Sequence, residues 1–267
     1  MKVFLTITVV SILLSLVSCQ KSVEFKDELS DREQAQPIKL PKEKSILVDA
    51  SKDGGVWWFP QSPDLGFSEQ AEHQGQYLAD YLRSLGFQVD ELPRGAIITK
   101  QLLKKYSRII RAAPFFPYSD DEIEAYKDFL ARPGAIFLLQ DHLSYTTGDK
   151  FSEFLGLSFR GAVNGVVTNF ASHEITTGID NLSFIAGSVV TNAYSNPNIV
   201  VLGSMDRSSY TVPNNADPFD GPTDANPAVM GLVTNFPKTR IFFLGEENGI
   251  ESLPQPLTQN LVNWLFN

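Results

Sequence analysis

Apolar and polar positions change period several times along the chain, and each change marks an element. Ile109 and Ile110, followed by Ala112, Ala113 and Pro114, form a short β-branched run that proline stops, which predicts a buried strand. Ser119 then precedes Asp120, Asp121 and Glu122, an N-cap followed by acids that complement the positive end of a helix. Ile123, Tyr126, Phe129 and Leu130 repeat at helical spacing, and Pro133-Gly134 ends the helix. Ala135 to Leu139 is continuously apolar, as a strand covered on both faces must be. Two strands joined by a helix are expected to be parallel with a right-handed crossover. The stretch from Ser107 to His142 thus organises the chain, and it ends on Asp141 and His142 at a strand's carboxyl end, where open parallel sheets gather ligands.

The same reading extends outward. Ile46 to Asp49 is a first strand ending in an acid. A Gly/Pro loop with Trp57, Trp58 and Phe59 leads to a helix over about Ser68 to Leu85, closed by Gly86, and Phe87 to Leu92 is a second strand. Thr99 caps a short helix over Gln101 to Tyr106. Beyond His142 the pattern loosens. Asp149 to Leu155 reads as helical, Phe159 to Phe170 as a strand, and His173 to Gly178 as a loop running into Ile179 to Ile185. Asn198 to Leu202 is a strand, and Asp206 to Asn226 a long acidic connection. Ala228 to Val233 and Arg240 to Leu244 read as an antiparallel pair, and Thr258 as the cap of a final helix over Gln259 to Phe266.

Composition narrows the function. The 267 residues are 43% hydrophobic and 20% charged, enough for one sizeable core. A net charge of −9 and a pI near 4.9 exclude a nucleic-acid partner, because phosphate binding needs a basic face. One cysteine is present, Cys19. Met1-Lys2 is a basic start, and Val3 to Val17 an apolar run of export-signal length, short for a spanning helix, which needs about 20 residues. The run closes on Leu16-Val17-Ser18-Cys19, which resembles the lipobox of bacterial lipoproteins. That resemblance implies lipidation of Cys19, which becomes the mature N-terminus, and Gln20 in place of Asp points to the outer membrane of a Gram-negative cell. Three acyl chains suffice for stable anchoring. Residues 1–19 are then the signal, 20–44 a flexible Gln-rich tether and 45–267 the folded domain. With no other cysteine, that domain rests on its core alone.

Three segments recur together: "SDDEIEAYKDFLARPGAIFLL", the loop "HEITTGI", and "TRIFFLGEENG" followed by "LTQNLVNWLF". Their order resembles the class I glutamine-amidotransferase-like superfamily. It is most similar to the branch found in gliding-motility and intraflagellar-transport proteins and in bacterial domains of unknown function. The resemblance spans roughly Ile46 to Asn267. It implies an α/β fold with a flavodoxin-like, mostly parallel sheet, helices on both faces and some antiparallel strands near the C-terminus. Catalytic members carry a Cys on the turn after the strand that ends here at Leu139. This turn reads Gln140, Asp141, His142, Leu143, so amidotransferase chemistry lacks its thiolate. In the non-catalytic branch such domains bind ligands or partners, often related to carbohydrate or envelope.

Candidate site residues follow from placement. Asp141 and His142 lie at the strand end, and their structural alternative is a helix cap and a hydrogen-bonded support. His173 with Glu174 is expected on the crevice rim through the resemblance. Two histidines with Asp141, and Asp49 or Glu246, would make a mixed N/O ligand set, but no His-x-x-x-His spacing supports one, and neither metal nor cofactor is assigned. Trp57 and Trp58 form either a stacking platform or a buried lid. Lys52-Asp53-Gly54-Gly55 lacks phosphate-loop spacing, and Asp206 to Asp224 fits no EF-hand pattern. Glu246-Glu247-Asn248 follows the last strand and, with Asp141, offers a carboxylate pair.

Two functions follow as expectations. The first is a lipid-anchored envelope binding or scaffold protein that holds a small molecule, glycan or envelope protein at Asp49, Trp57, Trp58, Asp141, His142 and His173. The second is a glycan hydrolase with Asp141, His142 or Glu246 as acid/base groups. Cys19→Ala is expected to move the protein from the membrane to the soluble fraction on cell fractionation, and retention in the membrane would remove the lipoprotein reading.

Overall fold

The computed structural model describes residues 40, 44–53, 75–141, 149–206 and 226–267. In chain order the elements are β1 (Ser45–Asp49), α1 (Gln76–Ser84), β2 (Gln88–Leu92), α2 (Lys100–Leu103), β3 (Arg108–Arg111), α3 (Asp120–Leu130), β4 (Gly134–Leu139) and α4 (Lys150–Phe154). Then come β5 (Phe159–Phe170), β6 (Leu182–Val190), β7 (Ile199–Met205), β8 (Ala228–Val233), β9 (Thr239–Leu244), a 3-10 turn (Ile250–Ser252) and α5 (Gln255–Phe266).

Local chemistry explains the first half. Ser119 Oγ accepts from the Glu122 N–H while the Glu122 carboxylate accepts from the Ser119 N–H, a complete capping box that starts α3. Thr99 caps α2 in the same way through the Leu102 N–H. The strands here alternate their buried side chains between two faces. Ile46, Val48, Ile110, Phe137 and Leu139 pack with α1 and α5, whereas Leu47, Ile109, Ile136 and Leu138 pack with α2, α3 and α4. The last helix starts at Gln255 after Pro254, three residues before Thr258, because Pro256 suits a first turn, where no N–H partner is needed.

The sheet as a whole differs from the expected mostly parallel, flavodoxin-like arrangement. Its nine strands run β2-β1-β3-β4-β9-β8-β6-β5-β7, and β7 also pairs with β8. Four ladders are parallel (β1–β2, β1–β3, β3–β4 and β4–β9). Five are antiparallel (β5–β6, β5–β7, β6–β8, β7–β8 and β8–β9). Strands β5 to β8 therefore close into a four-stranded ring joined to the parallel half through β9. The physical reason is the connections. Residues 171–181, which join β5 to β6, contain no helix to carry a parallel crossover, so β6 returns antiparallel to β5, and β7 then pairs antiparallel on the other side of β5. Closure also removes exposed edges from the ring.

The ring meets the parallel half at a close backbone approach. Ser188 of β6 donates its N–H to the Gly245 carbonyl at 2.6 Å, and a Cβ on Gly245 would stand 2.0 Å from the Ser188 oxygen. Gly245→Ala is expected to destabilise the protein by about 3 kcal/mol, read as a lower urea midpoint, because backbone cannot yield as a side chain can. Gly178→Ala, where φ is +76° and no atom lies within 4 Å, is expected to cost only about 1–2 kcal/mol of left-handed backbone.

Candidate functional site at the strand carboxyl ends

Asp49, Arg111 and Gln140 stand at the carboxyl ends of three neighbouring strands, β1, β3 and β4, on the face covered by α3 and α4. Asp49 and Arg111 are paired in register. All three are buried, so each needs partners. The Asp49 carboxylate accepts from the Ser51 N–H (3.0 Å), Ser51 Oγ (2.6 Å), Tyr118 Oη (2.7 Å) and Tyr126 Oη (2.5 Å). Those four donors fill a carboxylate's capacity. Burial, then the Asp49 charge, pushes both tyrosine hydroxyls well above their ordinary pKa, which keeps them protonated as donors.

Arg111 is fully buried, with Nη2 2.9 Å from Asp149 Oδ2 and 3.3 Å from Ser152 Oγ. Burial alone would lower its pKa, but Asp149 and then Tyr118, Tyr126 and Asp49 raise it overall. Gln140 Nε2 donates to the same Asp149 oxygen at 2.5 Å and to Ser152 Oγ at 2.8 Å. Asp149 also caps α4 through the Phe151 N–H.

Beyond this layer four buried carboxyl groups gather: Asp53, Asp141, Glu246 and Glu247. Strands β4 and β9 pair through Leu139 and Leu244, so Asp141 and Glu246, each two residues further on, leave adjacent strand ends. Asp141 Oδ2 accepts from Asn248 Nδ2 at 2.7 Å, and its carbonyl accepts from Ser188 Oγ at 2.7 Å. Glu247 Oε1 accepts from the Ala113 N–H at 3.1 Å. Burial, followed by Asp53, holds the Glu247 carboxyl well above the usual range. Burial also pushes Glu246 up to about 8, with Asp141 adding to the rise and the N–H groups of Ile185 and Gly249 opposing it. Ile185 is supplied by β6, and the next residue, Ala186, has φ +55°, a strained conformation fixed in part by an N–H bond to Asn164 Oδ1 at 2.6 Å.

Unfilled hydrogen-bonding capacity concentrates here. Arg111 Nε and Nη1, Gln140 Oε1 and Glu246 Oε1 are all buried without a hydrogen-bond partner. They belong to the ends of β3, β4 and β9, three consecutive strands of the sheet. An unsatisfied buried polar atom costs about 1–3 kcal/mol. The Arg111 nitrogens and Gln140 Oε1 stand beside one another, since both side chains reach Asp149 and Ser152, and together offer two donors and an acceptor. Among the described residues no three His, Cys, Asp or Glu side chains are arranged to hold a metal ion.

Of the residues singled out from sequence, Asp49, Asp141 and Glu246 come to this end of the sheet. His173 does not. Its ring meets Trp264 edge-on at 5.9 Å, and the Trp264 carbonyl accepts from Arg240, near the amino end of β9. Glu174 also acts on Arg240. His173 Nδ1 accepts from the Ile175 N–H at 3.0 Å, and its carbonyl takes the hydroxyls of Thr176 (3.1 Å) and Thr177 (3.0 Å). It thus folds a turn onto α5 at the opposite end of β9 from Glu246, and the expected shared rim of Asp141 and His173 is corrected. Trp57, Trp58, His142, Cys19 and most of the acidic connection lie outside the described residues. Sequence reading passed over Arg111, Gln140 and Asp149 as site residues, and placed Glu247 at the strand end only as part of Glu246-Glu247-Asn248. The available signal was a charged or amide residue ending an apolar strand, as in "RIIRAA" and "IFLLQD".

No family profile matches the chain. No curated protein matches it either. Solved structures do. The N-terminal domain of IFT52 superposes with a TM-score of 0.57 at 16% identity, over 82% of this chain and 94% of that one. A ThuA-like protein from Bacteroides uniformis gives 0.52 at 16% identity, over 86% and 93%. Another from Parabacteroides merdae gives 0.51 at 13%, over 84% and 90%. At such identities the likeness is one of fold alone. No helix among the described residues is long and apolar enough to cross a membrane.

Two predictions follow from the charges. Asp149→Ala leaves Arg111 buried without its counter-ion and is expected to cost about 3–5 kcal/mol in urea denaturation. Glu246 binds its proton more tightly folded than unfolded, so stability is full below about pH 4.5 and declines as pH rises towards about 8. Glu246→Gln is therefore expected to be more stable than the parent at pH 9 and to show no such advantage at pH 4, measured by thermal melts at both pH values.

Proposed function

We propose that this protein is a lipid-anchored envelope binding or scaffold module whose amidotransferase-like domain has no amidotransferase activity and holds a hydroxyl-bearing, carbohydrate-related ligand at the strand carboxyl ends. The observation that carries the reading is the set of unpaired buried atoms on Arg111, Gln140 and Glu246. Hydroxyl groups donate and accept at once, so a polyol satisfies guanidinium N–H groups and amide or carboxyl oxygens together. Cys19 is the only cysteine, which supports both the anchor and the loss of thiol chemistry. The fold likeness to the IFT52 domain is consistent with the gliding-motility and intraflagellar-transport branch and with a platform role.

A second reading has one observation in its favour. Glu246 and Asp141 leave adjacent strand ends in unlike environments, one carboxyl raised by burial and the other held by Asn248, as in acid/base pairs that hydrolyse glycosides.

The test is thermal melting of the full chain in detergent against neutral oligosaccharides and peptidoglycan fragments. A rise in Tm with at least one compound is expected, lost in Gln140→Leu. No rise with any compound would overturn the binding reading, and release of reducing sugar would replace it with the hydrolase.

A further inference from the structure

We propose that the amino ends of the parallel strands form a cationic, aromatic face that docks on the anionic phospholipid headgroups of the membrane holding the anchor. The docked domain then presents its carboxyl-end site outward. The inference rests on the lipid-anchor reading above and adds to it the orientation of the domain.

The chain as a whole carries a net charge of −9, yet its cations are not spread evenly. Four strands of the parallel half are each entered through one. Lys44 immediately precedes β1, Lys104 and Lys105 lead into β3, Arg132 stands two residues before β4, and Lys238 precedes β9. Inside the strands, Arg108 and Arg240 are both paired with Ala135 and so flank β4. Arg108 Nε donates to the Phe266 carbonyl at 2.7 Å and Arg240 Nη1 to the Trp264 carbonyl at 2.6 Å, which closes the last turn of α5. Burial and then the Arg240 charge lower the Arg108 pKa, so the two guanidinium groups feel one another. Lys44 Nζ donates to the Leu85 carbonyl at 3.1 Å and lies 5.3 Å over the centre of the Phe87 ring, with Arg108 over the same ring at 5.6 Å. Phe87 meets Phe266 edge-on at 6.3 Å, and Arg240 lies 5.9 Å over the half-buried Trp264. Among the described residues Asp128, 3.9 Å from Lys100, and Glu174, which acts on Arg240, stand near this end.

Composition and connectivity together point to a membrane surface. Lys44, Lys104, Lys105 and Lys238 are exposed, and long cationic side chains beside a half-buried tryptophan are the mixture that settles at headgroup depth. The tether from Cys19 enters the domain at Lys44, within this face. Residues 54–74, 142–148 and 207–225 leave and rejoin the described strands and helices at the opposite end, at Asp53 and Gly75, Asp141 and Asp149, and Asp206 and Asn226. A tether of about 25 residues can extend to about 80 Å, so by itself it fixes no orientation. It does hold the face at high local concentration, so modest charge attraction suffices. Each lysine close to an anionic surface strengthens that attraction about fivefold. Strand β4 is six residues long, so docking at its amino end holds the carboxyl-end site about 20 Å further from the headgroups.

The experiment uses the full lipidated chain in vesicles of phosphatidylcholine, alone or with about 30% phosphatidylglycerol. A fluorophore is placed on Asn235→Cys, exposed in the turn before β9, or on Gln255→Cys, exposed at the start of α5 and so at the carboxyl end. Energy transfer to an acceptor on the lipid headgroups reports which end lies nearer the bilayer. On anionic vesicles, transfer from Asn235→Cys is expected to be about twofold or more that from Gln255→Cys. The difference is expected to vanish in about 1 M salt and on phosphatidylcholine alone. Lys104→Gln, Lys105→Gln and Lys238→Gln together are expected to weaken docking about 100-fold and to abolish the difference. Equal transfer from the two positions on anionic vesicles, or a difference that survives on neutral vesicles, in salt or in the triple variant, overturns this inference. Flotation with neutral vesicles reports the anchor separately. A chain that floats but shows no preferred end keeps the lipid-anchor reading, whereas a chain that does not float overturns that reading and this inference with it. The salt and neutral-vesicle comparisons keep all three lysines, so they decide the outcome even if the triple variant misfolds.

Discussion

The guanidinium of Arg111 has no contact with solvent, and a charge taken out of water must be answered by an opposite charge held in place. That requirement fixes much of the carboxyl end of the sheet. Asp149 supplies the charge and at the same time caps α4, so the helix cannot leave without stranding the arginine. Gln140 and Ser152 close the same oxygen from two other directions, one from the end of β4 and one from α4. Asp49, in register beside Arg111, cannot share it and is satisfied by two tyrosines of the α3 region instead. Two helices and three strands are thereby locked to one polar layer.

Above that layer the balance reverses. Asp53, Asp141, Glu246 and Glu247 gather there. Burial pushes the carboxyls of Glu246 and Glu247, from consecutive positions, above the usual range, while the Asp49 and Asp149 oxygens are met by hydroxyl, amide and guanidinium donors. The same residue chemistry thus serves structure in one layer and remains available for recognition in the next. The difference is set by the donors within reach of each oxygen.

The parallel half was legible in the sequence because its signals are local. The Ser119 capping box, the helical repeat of Ile123, Tyr126 and Phe129, and the continuous run to Leu139 each lie within one element. The ring of β5 to β8 was not legible, since alternation marks a strand without naming its partner. Phe159–Phe170 was read correctly as a strand, yet its pairing with β6 and β7 depends on contacts that no short window contains. The site shows the same division. The position of Asp49, Asp141 and Glu246 at one end of the sheet was legible because strand ends can be counted. Arg111 was not, because its partner Asp149 is 38 positions away, at the start of α4. His173 was misplaced because a loop's position along a strand is invisible until the helix it docks on is known.

Strand β9 sits between β4 and β8, with Ala135 facing Arg240 and Leu232 facing Phe242. Nothing earlier in the chain can take its place. Among the described residues, the strands of 45–139 and those of 159–233 are joined in the sheet only through the stretch 239–244. Ribosomal synthesis delivers that stretch after nearly everything it must join. Folding is then gated by a late, long-range event. A chain whose two strand groups meet only through one six-residue strand depends for its continuous sheet on the last strand to be synthesised.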